Sequence, residues 1–283
     1  MASQDFMHKS LSDSEFRKIA SFIEQNVGIK MPIEKKLMMQ SRLNARLKVL
    51  GLSSFKDYID YVFSNKNDDN HEIIMLIDAM TTNLTEFFRE PQHFDFIRTT
   101  VLPEFAKQKR TNIKIWSAGC STGQEPYTIS IVMSEFIRQN DTTIRGYSVL
   151  ATDVSTKVLD KASTAVYDMN AVAAIPKDIK QRYFLKSKNQ LKPEARLKKE
   201  IRHHVNFMRL NFMDDDFGFT DTMQIIFCRN VLIYFDKETQ EKVIRKFLKY
   251  LEPGGYLFLG HSETIFGMDL PLKSVAPTVF QRI

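Results

Sequence analysis

Hydrophobic side chains recur at helical spacing through the first 80 residues of the chain. In the first predicted helix the apolar positions repeat three and four residues apart, at Phe16, Ile19, Ala20 and Ile23. Ser12 precedes this run and is a candidate N-cap. Pro32 opens a second predicted helix over about 33–50, and further helices are predicted over 53–65 and 71–80. This part of the chain is therefore expected to be all-helical.

From about residue 112 short apolar runs alternate with amphipathic helices. Helices are predicted over 125–140, 155–162 and 237–251. Strands are predicted over 113–119, 146–153, 205–212, 223–230 and 256–263, with a possible final edge strand at 277–283. Such alternation is typical of a doubly wound α/β sheet, and the apolar run in the fourth strand is typical of a buried parallel strand. The charged stretch at about 166–203 breaks this rhythm and is expected to be a small insertion at the rim of the sheet.

Composition and charge narrow the classes of function. Hydrophobic residues make up 43% of the 283 residues, enough for a packed core, and no apolar run has the length of a membrane span. The N-terminal sequence has no apolar signal-peptide core, so a cytosolic location is expected. Cys120 and Cys228 are the two cysteines and provide no metal-ligand set, so no metal site is expected. The net charge of +6 favours an anionic partner, either nucleic acid, a membrane surface or an acidic protein.

Small residues follow the first predicted strand, and an acidic residue ends the second. The turn from Gly119 to Gly123 lets the backbone approach a ligand closely, although such turns also pack a helix against a strand. Asp153 is placed to accept hydrogen bonds from both hydroxyls of a ribose, with the alternative that it caps the next helix. NAD and S-adenosylmethionine both satisfy these features. A G-x-G-x-x-G phosphate loop is absent from the sequence, which favours the cofactor without phosphates.

Four longer segments carry a family resemblance. They are TTNLTEFFRE (81–90), WSAGCSTGQEPYTISI (116–131), ATDVSTKVLDKA (151–162) and FCRNVLIYFD (227–236). In sequence and order they resemble the bacterial chemotaxis receptor methyltransferases, the CheR family, and the resemblance spans nearly the whole chain. It implies an α/β fold, in which a Rossmann-like class I methyltransferase sheet carries an N-terminal all-helical domain and a small β insertion.

The resemblance also implies domain bounds and an activity. The implied parts are a helical receptor-docking domain (1–76), a linker (77–111) and a methyltransferase domain (112–283) with its insertion (about 166–203). The implied reaction moves the methyl group of S-adenosylmethionine onto glutamate carboxylates of chemoreceptors, forming methyl esters in sensory adaptation and leaving S-adenosylhomocysteine. The protein is then expected to be cytoplasmic and recruited to receptor arrays, without inserting directly into the membrane.

The cofactor contacts implied by the resemblance come from the linker and from the ends of the strands. They are Asn83, Thr85, Arg89, Glu125, Asp153, Asn211, Phe212, Arg229 and Asn230. The family has a smaller aliphatic residue at position 212, so a backbone contact to adenine is expected from Phe212. Arg229 is expected to hold a carboxylate in the pocket, with a structural pair to Asp236 as the alternative.

Arg89 and Tyr234 are the candidate catalytic residues. The guanidinium of Arg89 offers a bidentate fork to a carboxylate of the cofactor or of the acceptor; the alternative is a surface salt bridge to Glu86 or Glu90. Tyr234 lies beyond the fourth strand, where its hydroxyl can orient the acceptor; the alternative is a core aromatic residue. A glutamate is already ionised at neutral pH, so positioning rather than a general base is expected to carry the rate.

The second predicted helix is basic. Lys35, Arg42 and Arg46 fall on one stripe beside its apolar face. The resemblance implies that this domain docks on the cytoplasmic helical domain of methyl-accepting chemotaxis receptors, where opposite charge would speed encounter. The alternatives are a solvated face and nucleic-acid binding. The helix has no aromatic residue for base stacking, so no nucleic-acid partner is expected.

Three other functions stay open at this stage. The first is methylation of RNA or a small molecule. Amino-group methyltransferases commonly carry an N/D-P-P-Y/F motif, and this sequence has RNVLIYF in its place, which counts against that function. The second is a non-catalytic module that senses S-adenosylmethionine, which would be expected to have lost pocket residues that this sequence retains. The third is a dehydrogenase, which would need a substrate domain that the sequence does not indicate.

Overall fold

The computed structural model describes residues 10–64, 71–189 and 191–283, which fall into two compact units. The first unit ends at Thr82, and the second runs from Asn83 to Ile283. The predicted end of the third helix at Asn65 lies outside the described residues. Within the described ranges, no helix combines the length and the hydrophobicity needed to cross a membrane.

The first unit is helical, as its apolar spacing predicts. Its helices are α1 (Asp13–Val27), α2 (Lys36–Leu50), α3 (Phe55–Val62) and α4 (His71–Met80), with a 3-10 turn (Ile33–Lys35) before α2. Ser12 caps α1: its hydroxyl accepts the N–H of Glu15, whose carboxylate accepts the N–H of Ser12 in return. Gly51 follows α2 in the left-handed conformation, with φ of 67°, and so ends the helix.

The second unit is built on a seven-stranded sheet with a smaller three-stranded sheet beside it. The strands are β1 (Asn112–Ala118), β2 (Gly146–Asp153), β3 (Val166–Asp168), β4 (Phe184–Lys186), β5 (Glu194–Leu197), β6 (Val205–Arg209), β7 (Met223–Cys228), β8 (Leu251–Leu259), β9 (Leu272–Ala276) and β10 (Val279–Arg282). The large sheet has the order β6-β2-β1-β7-β8-β10-β9. The first five strands in this order pair in parallel, so their carboxyl ends meet at one edge.

Helices connect these strands, and a helical segment precedes them. They are α5 (Pro91–Phe96), a π-helical turn (Ile97–Val101), α6 (Leu102–Lys107), α7 (Gln124–Gln139), α8 (Thr156–Thr164), α9 (Lys177–Tyr183), α10 (Lys199–Arg202) and α11 (Lys237–Tyr250). β7 is buried along its whole length, as its unbroken apolar run predicts. The α/β class and the parallel sheet predicted from the alternating pattern are therefore confirmed.

The small β insertion predicted between the second and third strands of the large sheet is also confirmed. β3, β5 and β4 form an antiparallel sheet in that order. The ring of Phe87 packs edge-on against Tyr167, with ring centroids 4.9 Å apart, and against Phe184, at 5.7 Å. The insertion therefore shares the hydrophobic core of the large sheet and contacts the segment that leads into it.

The last strand differs from the prediction. The run at 277–283 does form a strand, β10, but it lies inside the sheet between β8 and β9. The edge strand is β9, which the hydrophobic pattern does not predict because its side chains are exposed or half-buried. Thr278, with φ of 55°, makes the tight turn that joins the two strands.

Candidate cofactor and acceptor site

The turn after β1 is tied to the end of β2. The N–H groups of Gly119 and Cys120 both donate to the carbonyl oxygen of Thr152, each at 2.8 Å. A Cβ at Gly119 would lie 2.4 Å from a methyl carbon of Val231, and φ is 84° there, so only glycine fits this position. From the sequence, this glycine is expected to let the backbone approach a ligand. In the structure, Gly119 is required because the loop after β7 packs closely against it.

Asp153 holds the same turn through its carboxylate. Its Oδ2 accepts the N–H of Ser121 at 2.8 Å, and its Oδ1 accepts the N–H of Ser155 at 3.0 Å. The alternative that Asp153 caps α8 is wrong, because Ser155 is the N-cap and accepts the N–H of Val158. A carboxylate has about four acceptor sites, so a group of this kind can accept hydrogen bonds from hydroxyls as well as from the backbone.

Arg229 is the centre of a buried ionic cluster at the end of β7. Its Nη1 lies 3.2 Å from Oε2 of Glu125, and its Nε and Nη2 lie 3.3 and 3.2 Å from Oε2 of Glu90. Its Nη2 also donates to the carbonyl oxygen of Arg89. The predicted alternative partner, Asp236, instead caps α11. The donors of Arg229 are therefore largely taken up by groups of the protein itself.

The pKa values of the two carboxylates in this cluster are shifted in opposite directions. Burial raises the pKa of Glu125 above its usual value, although Arg229 and the hydroxyl of Ser117, at 2.7 Å, favour the ionised form. Burial would also raise the pKa of Glu90, but Arg229 and the side-chain amide of Asn230 hold it below its usual value. Glu90 is thus the firmly ionised partner of Arg229, and Glu125 is the more easily protonated one.

The linker motif contacts the turn after β1. The carbonyl oxygen of Asn83 accepts the hydroxyl of Ser121 at 3.0 Å, which joins the motif to the turn after β1. Thr85, two residues after Asn83, is half-buried. Phe88 and Glu90 have φ of 57° and 55°, a conformation that costs non-glycine residues energy and is frequent at functional sites.

Most donors of the Arg89 side chain have no partner among the described residues. Its Nη1 donates to the carbonyl oxygen of Leu84 at 3.1 Å, and the side chain is half-buried. In the part of the chain that the structure describes, the alternative salt bridge to Glu86 or Glu90 is not formed, because Glu90 is paired with Arg229. Arg89 and Arg229 therefore differ: the second is saturated by protein groups, and the first can still offer a fork to a carboxylate.

Asn230 and Tyr234 belong to the loop that follows Arg229. Asn230 has φ of 60°, and its amide donates to Oε1 of Glu90 at 3.3 Å. Tyr234 ends a 3-10 turn (Leu232–Tyr234) and is half-buried, and its role in orienting the acceptor stays a prediction. The loop thus brings two predicted site residues to the edge of the sheet where Arg229 lies.

Asn211 and Phe212 follow β6, the outermost parallel strand. The side-chain oxygen of Asn211 accepts the N–H of Met213 at 3.1 Å. The ring of Phe212 is buried against Phe247, with centroids 5.2 Å apart, and its carbonyl oxygen accepts the ammonium of Lys246 at 2.9 Å. Since the ring is used in the core, only the backbone of Phe212 is suited to a ligand, as the sequence comparison at this position indicates.

The basic stripe of α2 has structural partners inside the helical unit. Arg46 forms a bidentate pair with the buried carboxylate of Glu72, at 2.9 and 2.5 Å. Arg42 donates to the carbonyl oxygens of Ala79 and Thr81 at the end of α4, at 3.1 and 2.9 Å. Lys35 is half-buried in the turn before α2. A docking role for these three residues stays a prediction, and two of them also hold α2 against α4.

One group of residues brings potential metal ligands together within the described ranges. Nδ1 of His93 and Nε2 of His261 lie 3.5 and 3.9 Å from Oε2 of Glu90. That same oxygen already pairs with Arg229, so a cation would have to compete with a buried guanidinium. The spacing alone therefore does not make this group a metal site.

Two residues of the site escape the sequence patterns. Glu90 is at the end of the linker motif, where the sequence indicates only a surface salt bridge to Arg89. Glu263 follows β8 by four residues, and its carboxylate is buried against the loop after β7. The signal available in the sequence is a single acidic residue at the end of the predicted strand 256–263, which has no specific meaning without the order of the strands.

Comparison with known proteins gives consistent matches over nearly the whole chain. The family described as CheR methyltransferase, SAM binding domain, matches residues 83–280, and the CheR methyltransferase all-alpha domain matches residues 14–81. The chain is 38% identical to the chemotaxis protein methyltransferase of Borreliella burgdorferi, over 96% of this chain and 95% of that protein. It is 37% identical to the chemotaxis protein methyltransferase of Salmonella typhimurium, over 96% and 91% of the two chains.

Among solved structures, the magnesium protoporphyrin IX methyltransferase of Synechocystis with bound S-adenosylhomocysteine aligns with a TM-score of 0.32. The identity is 14%, and the alignment covers 72% of this chain and 70% of that chain. This likeness is too distant to support an argument about function.

Proposed function

Because the chain belongs to the CheR methyltransferase family, we propose that it transfers the methyl group of S-adenosylmethionine to glutamate carboxylates of chemoreceptors. The chain is a methyltransferase with an S-adenosylmethionine-binding domain, and its family relatives act in chemotaxis. The glutamate acceptor, the methyl ester product and the individual site residues are the finer claims. The buried cluster of Glu90, Glu125 and Arg229 at the carboxyl edge of the sheet supports the cofactor site, and the glutamate acceptor rests on the family to which the chain belongs.

The cluster suits a cationic cofactor. Two carboxylates and one guanidinium leave one negative charge in excess when all are ionised. S-adenosylmethionine carries a sulfonium and an ammonium against a single carboxylate, so it is cationic at the end that reacts. A nearby positive charge favours the ionised form of a carboxyl group, so cofactor binding would lower the pKa of Glu125 from its raised value.

The remaining cofactor contacts follow from the ends of the strands. We assign the ribose hydroxyls to Asp153, whose two oxygens each already accept one backbone N–H. We assign the adenine to the backbone of Asn211 and Phe212 after β6, because the Phe212 ring is committed to the core. Asn83 and Thr85 from the linker cover the turn that approaches the cofactor.

Arg89 is the residue best placed to hold a carboxylate that arrives with a ligand. Most donors of Arg229 are bonded to Glu90, Glu125 and the backbone, whereas within the described residues the side chain of Arg89 makes a single hydrogen bond, to Leu84. We therefore assign the acceptor carboxylate, or the carboxylate of the methionine end of the cofactor, to Arg89. The sequence alone does not distinguish the roles of the two residues, because both are arginines.

The chemistry then needs alignment rather than proton transfer. An ionised glutamate oxygen attacks the methyl carbon while the carbon–sulfur bond breaks, and the electron pair stays on sulfur as S-adenosylhomocysteine. Tyr234, at the end of the loop after β7, is assigned to orient the acceptor. Alignment of the reacting atoms and removal of water from the carboxylate provide the rate acceleration.

The acceptor is proposed to be the cytoplasmic helical domain of methyl-accepting chemotaxis receptors, which places the protein in the cytoplasm at receptor arrays. Lys35, Arg42 and Arg46 of the helical unit are the proposed docking residues. A surface of this charge would bind an acidic helical partner and weaken with rising salt.

The decisive experiment uses methyl-labelled S-adenosylmethionine and membranes that carry chemoreceptors. Mild alkali should release the label as volatile methanol, as expected for a carboxyl methyl ester. Label that resists alkali, or label found on RNA, would keep the methyltransferase and refute the glutamate acceptor. Cofactor binding without any transfer would refute the enzymatic role and favour a sensing module.

A further inference from the structure

The carboxylate of Glu263 accepts hydrogen bonds from backbone N–H groups of two separate segments. Its Oε1 accepts from Val231 and Leu232, at 2.8 and 2.7 Å. Its Oε2 accepts from Asn230 at 3.0 Å and from Gly260 at 2.5 Å. One side chain thus satisfies three successive donors of the loop after β7 and one donor at the end of β8.

The loop is shaped to receive a carboxylate. Because Asn230 has φ of 60°, the N–H groups of Asn230, Val231 and Leu232 converge on one point, an arrangement known to bind anions. Gly260 completes it: a Cβ there would lie 2.6 Å from the side-chain nitrogen of Asn230 and 2.9 Å from Oε2 of Glu263. The contact between the two segments therefore depends on a glycine as well as on the glutamate.

Glu263 is built into the protein rather than displayed to a ligand. The residue is 6% exposed, and no arginine, lysine or histidine of the described ranges forms a salt bridge with it. Four charge-assisted hydrogen bonds are what keep this carboxylate in a buried position. Its removal would leave several buried donors without an acceptor, which is more costly than losing the bonds themselves.

The loop held by Glu263 is the one that carries the candidate site residues. Asn230 follows Arg229 directly, and the 3-10 turn that begins at Leu232 ends at Tyr234. Arg229 is held independently by Glu90 and Glu125. Loss of the Glu263 carboxylate would therefore release the part of the loop after Arg229, toward Tyr234, more than Arg229 itself.

We propose that Glu263 is a positioning residue for methyl transfer, which fixes the loop from Asn230 to Tyr234 against the end of β8. The proposal rests on the proposed function insofar as Tyr234 orients the acceptor. Glu263 touches neither cofactor nor acceptor in this role. It acts through the backbone that places the neighbouring side chains.

The test compares Glu263→Gln and Glu263→Asp with wild type. In Glu263→Gln one acceptor oxygen is replaced by a donor facing backbone N–H groups, and kcat for receptor methylation should fall about tenfold to a hundredfold. Glu263→Asp keeps the charge on a shorter side chain and should retain more activity than Glu263→Gln. The Kd for S-adenosylhomocysteine should change less than about threefold, because Arg229 keeps its own partners.

A second readout is independent of receptors and of activity. Amide hydrogen exchange at Val231 and Leu232 should be faster in Glu263→Gln than in wild type, since an uncharged carboxamide has one acceptor oxygen for the four N–H groups that the carboxylate accepts. The matched control is Glu252→Gln, which removes a carboxylate at the opposite end of β8 that pairs with Arg110 and Gln224. It should lower stability without changing kcat or the exchange at these two amides.

The outcomes separate this proposal from the proposed function. Folded Glu263→Gln with wild-type kcat and unchanged exchange would refute the positioning role, and so would an equal loss of kcat in Glu252→Gln. Failure of both Glu263 variants to fold would show a global structural role and would also refute it. If wild type methylates no receptor, the proposed function fails, while the exchange at Val231 and Leu232 still decides whether Glu263 orders the loop.

Discussion

Arg229 and Glu90 are separated by 139 residues in sequence, yet Nε and Nη2 of the arginine lie 3.3 and 3.2 Å from one oxygen of the glutamate. The pair joins the linker motif to the end of β7. Each segment has a non-glycine residue with positive φ at this contact. In the linker motif it is Glu90 itself, and in the loop after β7 it is Asn230, the neighbour of Arg229. The contact therefore brings together two strained backbone segments that the fold holds in place.

Glu90→Gln should destabilise the second unit, because it leaves the buried guanidinium of Arg229 with Glu125 as its remaining carboxylate. We expect the free energy of unfolding to fall by about 2–4 kcal/mol, measured by urea denaturation. Asp95→Asn is the control, since the pair of Asp95 with Arg98 is exposed and should be worth less than about 1 kcal/mol. Equal effects of the two substitutions would contradict a structural role of the buried pair.

Arg89→Ala should reduce methyl transfer without unfolding the protein. Among the residues that the structure describes, the side chain makes one hydrogen bond, to the backbone of Leu84, so little stability is expected to depend on it. Loss of a bidentate contact to a carboxylate should lower kcat/KM by about 10- to 100-fold. Arg98→Ala removes an exposed arginine of the following helix and serves as the control. Wild-type turnover in Arg89→Ala would rule out the assignment.

Tyr234→Phe should lower kcat by about tenfold while leaving the thermal midpoint within a few degrees of wild type. The substitution keeps the ring and removes the hydroxyl that is assigned to the acceptor. Steady-state kinetics with receptor membranes would measure the effect. Tyr61→Phe, at an exposed position of α3, is the matched control and should have no effect. An unchanged kcat in Tyr234→Phe would leave the ring with a packing role.

His93 should make the second unit sensitive to acid. Burial, with Arg229 and His261 nearby, lowers the pKa of His93 to about 4, and Glu90 opposes this shift only in part. The unfolded chain takes up the proton near the usual pKa of about 6.5, so the stabilisation is complete above that pH and is lost as the pH falls toward 4. The loss from this group should reach about 3 kcal/mol.

Urea denaturation between pH 7 and pH 4.5 measures this dependence. His93→Gln should make it shallower, because the variant has no imidazole to protonate in the unfolded state. His203→Gln changes an exposed histidine and should leave the dependence as in wild type. A wild-type slope in His93→Gln would show that other groups, such as Glu90, account for the acid sensitivity.

Lys35→Glu tests the docking surface in the turn before α2, apart from the bonds that Arg42 and Arg46 make to the end of α4 and to Glu72. Receptor methylation should fall several-fold at low ionic strength, and the difference from wild type should shrink as salt is added. The Kd for S-adenosylhomocysteine should not change. Lys249→Glu reverses an exposed charge on α11 and is the control. Equal losses in both variants would point to net charge rather than to docking.

Local rules were sufficient for most of the fold. Ser12 and Gly51 mark helix ends through side-chain capping and positive φ, and both signals depend only on neighbouring residues. β7 was predictable because a strand buried on both faces needs an unbroken apolar run. β9 was not, since an exposed edge strand has neither alternation nor an apolar run.

The sequence predicts several residues of the site but not which of them pair with each other. Asp153 and Glu125 follow from motifs, yet the sharing of Arg229 between Glu90 and Glu125 depends on which strands are neighbours. The same holds for Glu263, whose partners lie 31 to 33 residues away in the loop after β7. Long-range pairing of this kind requires the strand order β7-β8, which hydrophobic periodicity does not contain.

The hairpin of β9 and β10 has a consequence for the behaviour of the protein in concentrated solution. β9 ends the large sheet and exposes Lys273 and Ser274, and its pairing with β10 is interrupted by a bulge between Val279 and Phe280. A charged, irregular edge is a poor template for a strand of a second molecule. The sheet can therefore remain open on this side without inviting aggregation, even though its interior strands are among the most apolar segments of the chain.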